Sequence, residues 1–215
     1  MAEESSPSSP KWRRRADARP SEIVQAAYEV FSEKGFAAAR LDEIAKRAGV
    51  SKGALYLYFE TKQDIFEAVV KDAIAPNIGA IETFVLAFPG PFDQLIRMLA
   101  PRVAEIASQS GMGKVIKMVI GESGNFPEIA RVWHDDVIAK GLGILTGAIT
   151  RAQERGEVRL GDPRQHALSI AGPLLAAVIF RETFVPVGAE PFDIPNLMQQ
   201  HLDNVLPGLV TSQPT

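Results

Sequence analysis

Apolar positions recur at helical spacing along most of the chain. Ile23, Ala26, Ala27, Val30 and Phe31 form one stripe of a helix expected over residues 19–34, and Gly35 ends it. Leu41, Ile44, Ala45 and Ala48 then fall at i, i+3, i+4 and i+7, a short amphipathic helix. Gly49 permits a sharp turn, Val50 is its buried residue, and the Ser51 hydroxyl suits the N-cap of a following helix anchored by Leu55 and Phe59. Phe31, Phe36, Leu41, Ile44, Leu55 and Phe59 are the expected core of this three-helix unit. Thr61 and Asp64 have the spacing that opens another helix, through Ile65, Phe66, Ala68, Val69 and Ala73. Pro76 is expected to kink it before it resumes to about Phe88. Further helices are expected over 92–108, 113–122, 127–156, 163–184 and 192–206, with Gly, Pro, Asn and Ser between them. No alternating strand pattern or internal repeat occurs, so the fold class is all-α.

The expected organisation is an N-terminal arm over 1–18, a helix-turn-helix head over 19–68 and a larger helical unit over 69–210. The arm is Ser/Pro-rich and then basic, with Lys11, Arg13, Arg14 and Arg15 beside Trp12. Too apolar-poor to fold alone, it reads either as a solvated tail or as an arm that touches phosphates beside a docked helix.

Charge sharpens this picture. Residues 1–62 carry 11 Lys and Arg against 9 Asp and Glu, whereas the rest carries 12 against 17, so the acidic net charge of −3 hides a slightly basic N-terminal part. With no cysteine there is no disulfide, thiol nucleophile or thiolate metal site. The most apolar run, 167–180, is interrupted by Ser169, Gly172 and Pro173 and reads as too short for a bilayer. The first ten residues lack the apolar stretch of a secretory signal. A cytoplasmic protein, associated with the nucleoid when DNA-bound and with no membrane partner, is the expectation.

The run IAKRAGVSKGALYLYFETK resembles the DNA-binding signature of the TetR family of bacterial transcriptional regulators. Ile44, Ala45, Ala48, Gly49, Val50, Ser51, Gly53, Leu55, Tyr56, Phe59 and Lys62 carry the likeness, with Ala26, Phe31, Gly35 and Phe36 upstream, over roughly residues 20–68. One departure is visible: the family usually opens the first motif helix with Thr or Ser, and this chain has Ala39 and Arg40. That removes a cap, at a cost on the order of 1 kcal/mol, and sets a cation where the helix dipole disfavours one. Arg40 could instead face a phosphate. The resemblance implies a second helical unit that dimerises and encloses a small-molecule site; the run NFPEIARVWHDDV resembles a subset of the same family.

The DNA-contacting residues expected are Arg40, Ser51, Lys52, Gly53, Tyr56, Tyr58 and Lys62. Ser51, Lys52, Gly53 and Tyr56 stand at the leading end of the recognition helix, the part that enters a major groove. A helical Gly53 costs about 1 kcal/mol, so close approach of backbone to DNA is its plausible use. Tyr58 and Lys62 suit phosphates. Lys46 and Arg47 read equally as solvated or bound.

In the second unit, residues 163–184 are apolar nearly all round, more than one buried face needs. Ile170, Leu174, Ala177, Val178, Leu197, His201, Leu202 and Val205 are expected at a homodimer interface of two helix pairs. Phe84, Met98, Arg102, Met118, Glu122, Trp133 and Phe180 are candidates for an effector pocket, although for each apolar one a core position is the commoner use. His134, His166 and His201 are far apart, and no hydrolase, zinc-protease or P-loop motif occurs. No cofactor or metal is implied, and an enzyme is not expected. The expected function is a regulator, more plausibly a repressor, that binds a palindromic double-stranded DNA operator as a homodimer and is released by a small apolar or aromatic effector. The alternative is a ligand-independent regulator controlled by a partner protein or by its abundance.

Overall fold

The computed structural model describes residues 19–109 and 111–211. The basic arm expected over 1–18 lies outside the described residues. Among the described residues eleven α-helices follow one another: α1 (Arg19–Ala38), α2 (Leu41–Arg47), α3 (Lys52–Tyr56), α4 (Lys62–Val69), α5 (Ala75–Ala87), α6 (Phe92–Gln109), α7 (Met112–Glu122), α8 (Pro127–Trp133), α9 (Ala139–Glu154), α10 (Pro163–Phe184) and α11 (Ile194–Leu209). The only β pairing among those residues is an isolated bridge between Val158 and Val210.

Gly35 does break the first helix, as its φ of 81° requires, but α1 resumes for a short turn to Ala38. Pro76 stops nothing. A π-helical turn, Val70–Ile74, precedes it and the helix runs on as α5. Proline has no N–H to give to the preceding turn, so the change of hydrogen-bond register falls upstream of it. A second π-helical turn, His134–Ile138, divides the long helix expected over 127–156 into α8 and α9.

The expected head core holds: Phe31, Phe36, Ile44 and Leu55 are buried, with Leu41 and Phe59 packed against them. Phe36 is its centre, within 5.2–5.9 Å of the Phe31, Phe66 and Phe126 rings. This core does not stop at the head. Val115, Met118 and Val119 of α7 and Ile129 and Trp133 of α8 are buried in the same cluster. A second cluster joins α6, α9, α10 and α11 around Phe92, Ile96, Ile149, Ala167, Ile170 and Leu202.

That packing corrects half of the expected dimer residues. Ile170, Ala177, Val178 and Leu202 are buried within the single chain: α10 turns the first three into the packing among α6, α9 and α11, and Leu202 of α11 is buried in the same second cluster as Ile170. Leu174, Leu197, His201 and Val205 are half-buried, and His201 Nε2 donates to the Ser169 carbonyl at 3.0 Å. What α10 leaves open is another stripe: Leu168 (61% exposed) and Leu175 (40% exposed), with Ala176 exposed and Ala171, Gly172 and Ile179 half-buried. The bilayer argument also needs correcting. Pro173 does not end α10, and with the 3₁₀ turn after it the segment Pro163–Val187 is 25 residues, long and apolar enough to cross a membrane by length and composition. Its buried face packs on three helices of a globular unit, which accounts for part of that apolarity without a lipid.

Candidate nucleic-acid interface

The turn between α2 and α3 is built from short-range bonds. Gly49 adopts φ 68°, Val50 N–H donates to the Ala45 carbonyl at 3.0 Å, and Ser51 Oγ accepts from Ala54 N–H at 3.1 Å. Arg40 occupies the N-cap of α2 with no side-chain cap bond, the local cost that its sequence position foretold. Leu55 fixes α3 by full burial. The opposite face of α3 shows Gly53, Tyr56 and Leu57 at i, i+3 and i+4, all exposed. A Cβ on Gly53 would meet no atom within 4 Å, so no intramolecular packing asks for glycine there. Leu57, 81% exposed, is an apolar residue that the sequence reading passed over. Its signal was present: it lies four residues after Gly53, on the side away from Leu55.

Several cations of this surface are already engaged. Lys52 Nζ, at the tip of α3, bridges to Asp42 of α2 at 2.7 Å. That hydrogen bond raises the lysine pKa and lowers the aspartate's. Arg47 makes a two-pronged pair with Glu33 of α1 at 2.7 and 2.8 Å, which raises its pKa, so in the free protein it is tied to α1 rather than simply solvated. Lys34 pairs with Glu43 at 2.6 Å. Arg40 and Lys46, both exposed, have no ion pair within 4.0 Å among the described residues. With Asp42, Glu43 and Arg47 they line a surface depression of about 630 Å³.

Lys62 requires a correction. Its position at the start of α4 suggested a phosphate contact, but the side chain turns inward. Nζ donates to the carbonyls of Phe36 at 2.6 Å, Ala37 at 3.2 Å and Ala39 at 3.1 Å, which uses its three donors. It also lies 4.6 Å from the Phe36 ring centroid. Burial lowers its pKa, and the Glu122 carboxylate opposes that shift. The lysine caps the carbonyl end of α1, where the helix dipole favours a cation. The neighbouring box is as expected: Thr61 Oγ1 accepts from Asp64 N–H and the Asp64 carboxylate accepts from Thr61 N–H.

The seven expected pocket residues do not converge. Met118 and Trp133 are buried in the head-spanning core. Glu122 Oε2 accepts Ala37 N–H at 2.6 Å. Arg102 lies over the Phe84 ring at 5.3 Å, Met98 is exposed, and Phe180 meets Phe184 and Phe192 at 5.2 and 5.0 Å. Two hollows lie elsewhere in the second unit. One is apolar and small, about 80 Å³, between Ile96, Leu99, Ala100, Val103, Leu145, Ile170, Ala171, Leu174 and Met198. The other is an open groove of about 530 Å³ between α5 and α9. Ile78, Gly79, Val85, Leu86, Ala139, Gly143, Ile144 and Gly147 line it together with Glu82, Lys140 and Arg151. Sequence reading missed this groove because glycines, not bulky side chains, open it.

Residues 23–69 match the family described as "Bacterial regulatory proteins, tetR family". Residues 94–193 match "AefR-like transcriptional repressor, C-terminal domain". The chain is 37% identical over 119 residues to the uncharacterized HTH-type transcriptional regulator TtgW of Pseudomonas putida, covering 51% of this chain and 89% of that one. It is 26% identical over 140 residues to the fatty acid metabolism regulator protein of Bacillus subtilis (strain 168), covering 65% and 71%. Its fold matches the crystal structure of the transcriptional regulator FadR from Bacillus subtilis in complex with stearoyl-CoA, with a TM-score of 0.73 at 23% identity over 87% of this chain and 98% of that one. None of these points to an enzymatic activity. Signature, head geometry and relatives agree that the chain belongs to the TetR family of DNA-binding transcriptional regulators.

Proposed function

We propose that the protein is a homodimeric repressor that occupies a palindromic operator and leaves it when a small apolar effector lodges between α5 and α9. The exposed face of α3 supports the reading of DNA: Ser51 and Gly53 let the backbone approach, Tyr56 and Tyr58 bring hydroxyls to phosphate or base edges, and Leu57 offers an apolar surface to a thymine methyl. Arg40 and Lys46 are the phosphate contacts, and Lys52 joins them by exchanging Asp42 for a phosphate or a guanine edge. One such head reads only a few base pairs, and two heads about 34 Å apart read a palindrome. The open stripe on α10, centred on Leu168 and Leu175, supplies a surface for the second copy.

The observation that carries the effector is the groove itself. Its volume, about 530 Å³, lies in the range of small-molecule sites, and one wall is α5, the continuation of the helix that leaves the head. A ligand wedged between α5 and α9 favours conformers in which that helix has shifted, and the heads lose the spacing the operator needs. Of the charged residues that line the groove, Lys140 is paired to Asp136, and Arg151, about three turns further along α9, is the cation assigned to an anionic end of an otherwise apolar ligand, with Glu82 on the facing helix. The relative solved with stearoyl-CoA binds a molecule of that class.

Stearate, its coenzyme A thioester and octadecanol test this by thermal melting and by release of operator DNA. The acyl anions are expected to raise the melting temperature and release DNA, and Arg151→Ala to weaken both effects. The small size of the apolar hollow, about 80 Å³, favours a second reading, a regulator with no effector. A broader panel of amphipathic anions that neither stabilises the protein nor releases DNA would decide for that reading.

A further inference from the structure

The expectation of a pocket role for Glu122 fails in an informative way. Glu122 is the last residue of α7, in the second unit, yet its carboxylate reaches the short turn of α1 that follows Gly35. Oε2 takes the Ala37 N–H at 2.6 Å, and Oε1 lies against Gly35, where a Cβ would collide with it. Gly35 is therefore glycine for two reasons that coincide, a positive φ and the approach of this carboxylate. From the other side, the Lys62 ammonium holds the carbonyls of Phe36, Ala37 and Ala39. The segment 36–39 is thus gripped by one charge of each sign, the anion on the N–H and the cation on the carbonyls. Below it, the Phe36 ring is packed against Phe126, four residues beyond Glu122. Immediately after the gripped segment come Arg40 and α2, which carries α3.

We propose that Glu122 is a positioning residue for operator recognition: its hydrogen bond to Ala37 fixes the angle at which the second unit holds the helix-turn-helix, and through that angle the distance between the two heads. The proposal rests on the dimeric reading given above. Glu122 touches no DNA. It acts through the backbone of 36–39, from the last residue of α7, a helix of the second unit that packs on α1. Loss of the bond leaves α2 and α3 folded, since Ser51 caps α3 and Ile44, Ala45 and Leu55 stay buried in a core that the bond does not enter. What it loosens is the relation of each head to the body of the dimer.

The test uses an operator selected from random duplexes by the full-length protein, and a ladder of that operator with base pairs inserted between its halves. Wild-type protein is expected to lose affinity by about tenfold or more on insertion of about two base pairs. In Glu122→Ala the same insertion is expected to cost less than about threefold, with affinity for random DNA and its salt dependence unchanged. Glu122→Gln, whose amide oxygen still accepts from Ala37, is expected to recover most of the spacing preference. A Glu122→Ala protein that keeps the wild-type spacing preference overturns the proposal. So does one that loses random-DNA affinity in step with operator affinity, since that marks damage to the head itself. If Glu122→Ala does not fold, a Glu122→Gln protein with flattened spacing preference overturns it, because the acceptor was retained. A wild-type protein indifferent to spacing fails the dimeric reading instead, and takes the proposal with it.

Discussion

Replacing Lys62 by methionine separates two roles that the sequence could not tell apart. The methionine keeps most of the aliphatic stem and removes the ammonium that donates to the Phe36, Ala37 and Ala39 carbonyls. Hydrogen bonds from a charged group contribute roughly 1.5–3 kcal/mol each. Only the bonds to Phe36 and Ala39 are part-buried, and the Ala37 carbonyl is open to water once released. The ammonium is itself partly desolvated, which lowers its pKa and offsets some of the gain. A net loss of about 2 kcal/mol follows, a large fraction of a typical stability of 5–15 kcal/mol. For a chain of this size that corresponds to a drop in melting temperature of about 4–8 °C. Thermal and urea melts of Lys62→Met measure it, alongside DNA affinity across a salt series. A phosphate contact contributes about 0.9 to the slope of log affinity against log salt. The expected result is lower stability with an unchanged slope, whereas Arg40→Ala and Lys46→Ala each reduce the slope and leave stability nearly untouched. A stable Lys62→Met protein whose slope has fallen by about one would refute the capping role and restore the phosphate contact.

Two further outcomes follow from the same geometry. Leu175→Asp puts a charge on the open α10 stripe, at a residue 40% exposed in the single chain. It should give a folded monomer by sedimentation, with unchanged helicity and operator affinity down by at least about tenfold, because one head reads only half a site. Glu157 accepts from Arg155 at 2.6 and 3.1 Å and from the Phe92 N–H at 2.8 Å, tying the start of α6 to the loop after α9. The Arg155 bond, followed by that backbone donor, holds its pKa below the ordinary 4.5. A depressed carboxylate pKa adds stability that is complete above the unfolded-state value and lost as pH falls through the folded one. Glu157→Gln should therefore melt below wild type at neutral pH, by about 1–2 kcal/mol, and the gap should close as pH drops below 4.5 in parallel melts.

How much of this was legible in the sequence depends on the range of the interaction. The Gly49 turn, the Ser51 cap and the Thr61–Asp64 box are decided within a few residues, and each stands where its pattern placed it. Lys62 and Glu122 were misread for one reason: their partners, the peptide groups of 36–39, lie 23–26 and 85 residues away in the chain. No local pattern reports a charge that binds backbone from another element. The α10 interface residues failed differently. A helix that is apolar all round says only that more than one face will be covered, and which face the chain itself covers depends on where α6, α9 and α11 pack. The pocket list failed because bulk was taken as the sign of a cavity, although Phe84, Met118 and Trp133 fill space and Gly79, Gly143 and Gly147 leave it.

These misreadings meet at one place. If the operator is recognised by two heads at a fixed distance, whatever sets the head angle matters as much as the side chains on α3. On the proposals above, two connections set it within the shared core. The continuous run from α4 through the π-helical turn to α5 reaches the groove, and α7 reaches the head through Glu122. On the reading proposed above, a ligand between α5 and α9 would move the first and leave the second as a pivot, so the head would rotate about segment 36–39 rather than translate. Shared burial of Val115, Met118, Ile129 and Trp133 with the head core makes that segment a stiff pivot. In a dimer, a small displacement of α5 would then be converted into a change of head spacing. A head joined to its second unit by a flexible linker would absorb the same displacement without changing its grip on DNA.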